Sequence, residues 1–82
     1  MLTSEQLRAA RSLLRWQQSD LAEASGISIP TIKRLEAMDG ELGGHAATIR
    51  ALTAALENAG VQFIPENGGG AGVRLAKPKG GK

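Results

Sequence analysis

Apolar residues recur at helical spacing near the start of the chain. They are Leu7, Ala10 and Leu14. Positions i, i+3 and i+7 lie on one face of a helix. Thr3 and Gln6 stand in the order of a capping box, in which each side chain bonds to the backbone amide of the other residue. The pattern therefore predicts a first helix within residues 1–16.

A turn signal separates two short helical segments in the next part of the chain. Gly26 stands where the first segment ends, and glycine readily adopts the left-handed backbone of a sharp helix exit. Ser28 is a good N-cap for the second segment. Pro30 is tolerated in its first turn because amides there have no partner within the helix. A helix, a glycine turn and a capped helix in this order predict a helix-turn-helix over residues 18–37.

The last third of the chain combines one helical pattern with two short strand patterns. The apolar stripe of residues 46–58 comprises Ile49, Leu52 and Leu56. Residues 61–64 form a short, mainly apolar run and residues 73–75 an apolar–polar–apolar run, on either side of a glycine-rich segment, which favours a hairpin or a strand pair. The predicted fold is therefore mainly α, with four to five helices and a C-terminal β-hairpin or strand pair.

The composition excludes several classes of protein and site. The chain has 82 residues, 41% of them apolar, which is enough for one small helical core. It contains no cysteine, so we expect neither a disulfide framework nor a thiolate metal site. His45 offers a single imidazole near Asp39 and Glu41, which disfavours a metal site there, and no cofactor is predicted. No apolar run approaches the roughly 20 residues that span a bilayer and no signal peptide is evident, so we expect a cytoplasmic protein.

The net charge of +2 does not by itself indicate nucleic-acid binding. Four of the ten basic residues lie at the end of the chain, namely Arg74, Lys77, Lys79 and Lys82. Residues 1–73 carry six basic and eight acidic residues, a net charge of −2. Local placement is more informative than the total. Lys33 and Arg34 are adjacent on the second helix of the predicted helix-turn-helix.

The sequence of this motif resembles that of Cro/repressor-like (Xre-type) helix-turn-helix regulators. The matching residues are Gln18–Glu23, Gly26, Ser28 and Thr31–Glu36. The likeness extends from about Leu7 to about Phe63, and residues 60–75 look like the tail of many small bacterial members. It implies a repressor-like DNA-binding domain. The predicted division is residues 1–60 for this domain, residues 61–76 for the strand pair, and residues 77–82 for a disordered basic tail. The strand pair either forms a dimer contact or folds back on its own domain and leaves a monomer.

The helix-turn-helix interpretation predicts which side chains meet DNA. Its second helix, residues 28–37, would enter the major groove, where each base pair presents a distinct pattern of polar and methyl groups. Arg34 is the candidate for a guanine contact and Ile29 for a thymine methyl group, while Lys33 suits a base or a phosphate. The candidates for base contact are Ile29, Pro30, Lys33 and Arg34. The candidates for phosphate contact are Arg15, Gln18, Ser19, Ser28, Thr31, Gly43 and Gly44.

Residues of the first helix have more than one interpretation. Arg8, Arg11 and Arg15 recur at i, i+3 and i+7. This stripe is either a solvated face or a set of residues with separate roles, in which Arg15 contacts a phosphate. The resemblance implies a different role for Arg11, which in relatives pairs with the glutamate at the place of Glu36 and braces the first helix against the third. Trp16 is interpreted as a core residue at the helix end rather than a base-stacking residue.

The leading functional hypothesis is a sequence-specific double-stranded DNA-binding transcriptional regulator that acts as a homodimer. The alternative is an antitoxin that binds a partner toxin and represses its own operon. Single-stranded RNA binding is disfavoured because Trp16 and Phe63 are the only aromatic residues, too few for stacking platforms. An enzyme is disfavoured because the chain has one histidine and no set of residues that would bring a base and a nucleophile together.

Overall fold

Four helices precede one two-stranded sheet in the part of the chain that this computed structural model describes, residues 2–43 and 46–76. The elements are α1 (Ser4–Leu13), α2 (Gln18–Ser25), α3 (Ile29–Glu36), α4 (Ala46–Asn58), β1 (Val61–Ile64) and β2 (Gly72–Leu75). The mainly α prediction with a C-terminal strand pair is therefore confirmed. No helix in the described ranges is long and apolar enough to cross a membrane. The predicted tail, residues 77–82, lies outside them.

The first helix begins at the predicted capping box. The Thr3 hydroxyl accepts from the Gln6 amide at 3.0 Å, and the Gln6 side-chain oxygen accepts from the Thr3 amide at 3.0 Å. These bonds satisfy two groups that the start of a helix would otherwise leave free. Gly26 ends α2 with φ 77°, the left-handed conformation that the turn signal predicted.

The second and third helices begin with different devices. Ser28 caps α3, because its hydroxyl accepts from the Thr31 amide at 3.4 Å. Gln17 precedes α2, where glutamine is a weak cap. The Asp20 carboxylate compensates by accepting from the Gln17 amide at 2.8 Å. A negative charge in the first turn also suits the positive end of the helix.

The core lies where the four helices and β1 meet. Its fully buried members include one leucine or isoleucine from each of the first three helices and two from α4. They are Leu7, Leu21, Ile32, Leu52 and Leu56. The helical periods seen in the sequence therefore mark the faces that pack inward. The core holds the two helices of the helix-turn-helix against α4 and α1.

The strand pair is an antiparallel hairpin that folds back on its own helices. Val61 pairs with Leu75 and Phe63 with Val73, so these four apolar side chains share one face of the sheet. Val61 is buried, and Phe63 and Val73 pack against the core. The side-chain amide of Gln6 in α1 donates from Nε2 to the carbonyl oxygen of Gly72 at 2.9 Å, which ties the hairpin to the first helix.

The segment after α3 is tied to the start of the chain. Ser4 donates its amide to the Gly40 carbonyl at 2.8 Å, and Leu42 donates to the Leu2 carbonyl at 3.0 Å. Thr3 and Glu41 form an isolated antiparallel bridge between these bonds. These long-range bonds fix the exit of α3 against the entry of α1.

Candidate nucleic-acid interface

The two faces of α3 differ in burial and in chemistry. The inward face comprises the buried residues Ile32, Leu35 and Glu36. The outward face comprises the exposed residues Ile29, Pro30, Lys33 and Arg34. All four candidates for base contact therefore lie on one exposed surface. This surface offers hydrocarbon in the first turn of the helix and positive charge in the second.

Lys33 and Arg34 are available to an external partner. Within residues 2–43 and 46–76, neither side chain forms an ion pair or a hydrogen bond with another residue. The Arg34 guanidinium has the planar fork that matches two acceptors on one guanine edge. The Lys33 ammonium is a compact charge that suits a phosphate or a base oxygen.

The start of α2 lies beside the start of α3. Gln17, Gln18 and Ser19 share an open cleft of about 510 Å³ with Ile29 and Arg11. Free backbone amides and the positive end of the helix dipole make a helix start favourable for phosphate. The cleft therefore joins a candidate phosphate site to the apolar part of the base-facing surface.

Glu36 is the centre of a buried polar cluster behind this surface. Arg11 donates to both carboxylate oxygens, from Nε to Oε2 at 2.8 Å and from Nη2 to Oε1 at 2.9 Å. The Gln18 side-chain amide donates to Oε1 at 3.0 Å. Side-chain exposure is 5% for Glu36 and 23% for Arg11. A paired, fully hydrogen-bonded geometry is what a buried carboxylate requires.

The same cluster joins three helices and a turn. Arg8 of α1 donates to the carbonyl oxygen of Glu36 at the end of α3. Arg11 also donates from Nη1 to the Trp16 carbonyl at 2.9 Å, while Gln18 belongs to α2. The cluster thus fixes how α2 and α3 sit on α1, and with them the geometry of the outward surface.

The electrostatics of the cluster stabilise its charged form. Burial alone would raise the pKa of Glu36, but hydrogen bonds from Arg11 and Gln18 and the nearby guanidinium lower it below its usual value. The hydrogen bond to Glu36 raises the pKa of Arg11. Both shifts favour the ionised pair near neutral pH.

The candidate phosphate residues do not form a single group. Ser28 and Thr31 bond to each other through their hydroxyl oxygens at 3.0 Å. Arg15 is exposed two residues after α1 ends, in a left-handed conformation with φ 58°. Gly43 is exposed in a small cleft that it shares with Arg34 and Thr31. Gly44 and His45 lie outside the described residues.

Sequence reasoning missed two donors to Glu36. It assigned Gln18 to a phosphate and did not predict that the Gln18 side-chain amide also donates to the Glu36 carboxylate. It placed Arg8 only on a charged stripe, whereas Arg8 donates to the Glu36 carbonyl. The spacing of Arg8 and Arg11, one helical turn apart, is the one local signal that both face the same partner. Trp16 is half-buried and packs against the core.

Comparison with known families agrees with this geometry. A helix-turn-helix family model matches residues 7–53, which runs from α1 into α4 and covers more than half of the chain. No curated protein sequence matches the chain. The matched range contains α2, the Gly26 turn and α3. The chain therefore belongs to the Cro/repressor-like (Xre-type) helix-turn-helix family of DNA-binding transcription regulators.

Proposed function

We propose that this protein is a sequence-specific regulator that binds double-stranded DNA with α3 in the major groove. The observation that carries the proposal is the outward surface of α3. That surface places two cations, which have no side-chain partner among the described residues, and an exposed apolar turn on a helix whose other face is buried. A major groove about 12 Å wide admits one α-helix. The short turn at Gly26 leaves α2 free to lie across the sugar–phosphate backbone.

Base contact and phosphate contact divide between the two helices in this proposal. Arg34 reads a guanine through two parallel hydrogen bonds, and Ile29 and Pro30 make apolar contact. Ser19 and the backbone amides at the start of α2 hold a phosphate. The Gln18 side-chain amide has two N–H groups, so one can donate to a phosphate while the other keeps its hydrogen bond to Glu36. Lys33 adds positive charge to either kind of contact.

Selection from a pool of random duplexes tests the proposal directly. The wild-type protein is expected to enrich one sequence motif, and footprinting should show protection of that motif. Lys33→Ala and Arg34→Ala should each weaken the interaction. Arg50→Ala is the matched control because Arg50 is an exposed cation on α4, outside both α3 and the strand pair. Failure of the wild-type protein to enrich any duplex would contradict the proposal.

We also propose that residues 61–76 contribute to a homodimer. Leu13 is 39% exposed and Leu75 is 51% exposed, and Ala9, Leu13 and Val73 border one shallow depression. We call Ala9, Leu13, Val73 and Leu75 the α1–β2 patch. Within the described residues the hairpin has two strands, so the outer edge of β2 pairs with no further strand there and is open to one from another chain. Two copies joined there would read two half-sites about 34 Å apart.

A charge introduced into the α1–β2 patch tests this arrangement. Leu75→Glu is expected to lower the mass in solution from dimer to monomer and to weaken binding to a palindromic site at least tenfold. Met38→Glu is the control because Met38 is an exposed apolar residue outside the patch, at 38%. A wild-type protein that is monomeric alone would contradict the homodimer. The patch would then favour the antitoxin alternative, in which a toxin covers it.

A further inference from the structure

The first turn of α3 carries hydrocarbon at the centre of the candidate interface. Ile29 is 36% exposed, and Pro30 beside it is also exposed. Neither side chain donates or accepts a hydrogen bond, and proline has no amide proton. Charged readers begin only one turn later, at Lys33. The first turn therefore differs in chemistry from the rest of the outward surface.

The polar neighbours of this turn are already engaged. The Ser28 hydroxyl donates to the Thr31 hydroxyl oxygen at 3.0 Å. The same Ser28 oxygen accepts from the Thr31 amide at 3.4 Å, which caps α3. Reorienting Ser28 towards a base would give up the cap and destabilise the start of α3. The first turn can thus contact a base through Ile29 and Pro30 without disturbing the helix.

The position of Ile29 brings it close to a base edge once α2 is anchored. Ile29 is the apolar member of the cleft that also contains Gln17, Gln18 and Ser19. A phosphate held by the start of α2 would lie at one side of this cleft. The major-groove edge of an adjacent base pair would then lie against its apolar side.

We propose that Ile29, flanked by Pro30, recognises the C5-methyl group of a pyrimidine in the major groove. The operator then carries a thymine at the base that faces the first turn of α3. Among the four bases, thymine alone presents a methyl group in that groove. The same contact should favour 5-methylcytosine over cytosine at this position. The inference rests on the proposed DNA binding and adds the chemical group that is read there.

Single-atom changes in the DNA test the inference with the unmodified protein. Each thymine of the selected duplex is replaced in turn by uracil, which keeps every hydrogen-bonding group and lacks only the methyl group. At one thymine in each half-site, binding should weaken roughly fourfold, the equivalent of one buried methyl group. The thymine–adenine pair at that position is also exchanged for a cytosine–guanine pair and for a 5-methylcytosine–guanine pair. The duplex with 5-methylcytosine should bind more tightly than the duplex with cytosine.

A protein variant identifies the residue that makes the contact. Ile29→Ala should bind the thymine and uracil duplexes equally, whereas the control Met38→Ala should keep the fourfold preference. Melting temperatures establish that both variants are folded. The inference is overturned if no thymine is sensitive to uracil, or if Ile29→Ala keeps the wild-type preference. In both cases the selected motif and its footprint leave the proposed DNA binding intact. A wild-type protein that enriches no duplex would overturn both proposals.

Discussion

The two faces of α3 relate to the rest of the molecule in opposite ways. On the inward face, every polar atom of the Glu36 carboxylate has a partner from another helix. On the outward face, Lys33 and Arg34 have no side-chain partner within the described residues. Seven of the eight residues of α3 thus divide between a buried face and an exposed face, and the cations of the exposed face have no partner within the described residues. Unsatisfied polar groups on a fixed helix are what a binding surface requires.

This division shows why membership of the helix-turn-helix motif does not by itself assign a role in DNA contact. Glu36 belongs to the motif, but its side chain is only 5% exposed and its carboxylate is bonded to Arg11 and Gln18. Arg34, two residues earlier, points to solvent. Substitutions on the inward face should therefore change stability, and substitutions on the outward face should change binding.

The largest expected effect is the loss of stability on breaking the buried pair. Glu36→Ala leaves the Arg11 guanidinium without its carboxylate, and removal of one partner of a buried pair typically costs about 3–5 kcal/mol. Arg11→Ala should cost a similar amount because it leaves Glu36 buried and unpaired. Urea denaturation of both single variants and of the double variant measures these losses.

The double variant decides whether the two residues act as a unit. Its loss should be well below the sum of the single losses, because neither charge is then left alone. Glu57→Ala is the control, since Glu57 is an exposed acid on α4 and should change stability by no more than about 0.5 kcal/mol. Additive losses at Arg11 and Glu36 would show that the pair does not contribute as a pair.

The next largest effect is expected on the outward face. Arg34→Ala should relax the preference for one base pair in each half-site, because a bidentate contact contributes about 1–3 kcal/mol of discrimination. The free energy of unfolding should change by less than about 0.5 kcal/mol, since the side chain is exposed. Selection experiments with the variant measure the first quantity and urea denaturation the second. An unchanged motif would remove Arg34 from the residues that read bases.

Acid should lower the stability that Glu36 contributes on the inward face, by less than the substitutions above change stability or binding. The pKa of Glu36 is lowered in the folded protein. The ionised Glu36 therefore makes its full contribution to the free energy of unfolding above the pKa of an unfolded glutamate, about 4.3. The contribution is lost as the pH falls through the lower folded pKa. The advantage of the wild-type protein over Glu36→Gln should therefore shrink below about pH 4.3. Stability curves of both proteins against pH provide the measurement.

The comparison with Glu36→Gln is needed because a second carboxylate also makes the stability fall at acid pH. The pKa of Glu5 is also lowered, by hydrogen bonds from its own amide and from the Gly40 amide. The difference between the two proteins cancels that contribution. A constant difference down to the acid transition would contradict the assignment to Glu36.

Local chemistry was sufficient to predict most of the fold. Capping at Thr3, the glycine exit at Gly26 and the cap at Ser28 each involve residues within one turn, so their signals are visible in the sequence. The donor from Gln18 to Glu36 joins residues 18 apart, and the donor from Gln6 to Gly72 joins residues 66 apart. Neither long-range bond has a local pattern.

The smallest effect is expected at an exposed hydrogen bond of the hairpin, and it isolates the role of burial. Arg74 donates from Nε to the Gln62 side-chain oxygen at 2.9 Å, the same length as the bond from Arg11 Nη2 to Glu36. Arg74 and Gln62 are both exposed, so water replaces the bond when it is lost. Arg74→Ala should therefore cost no more than about 0.5 kcal/mol in urea denaturation. A loss as large as that of Arg11→Ala would mean that burial and charge do not account for the difference between these two guanidinium bonds.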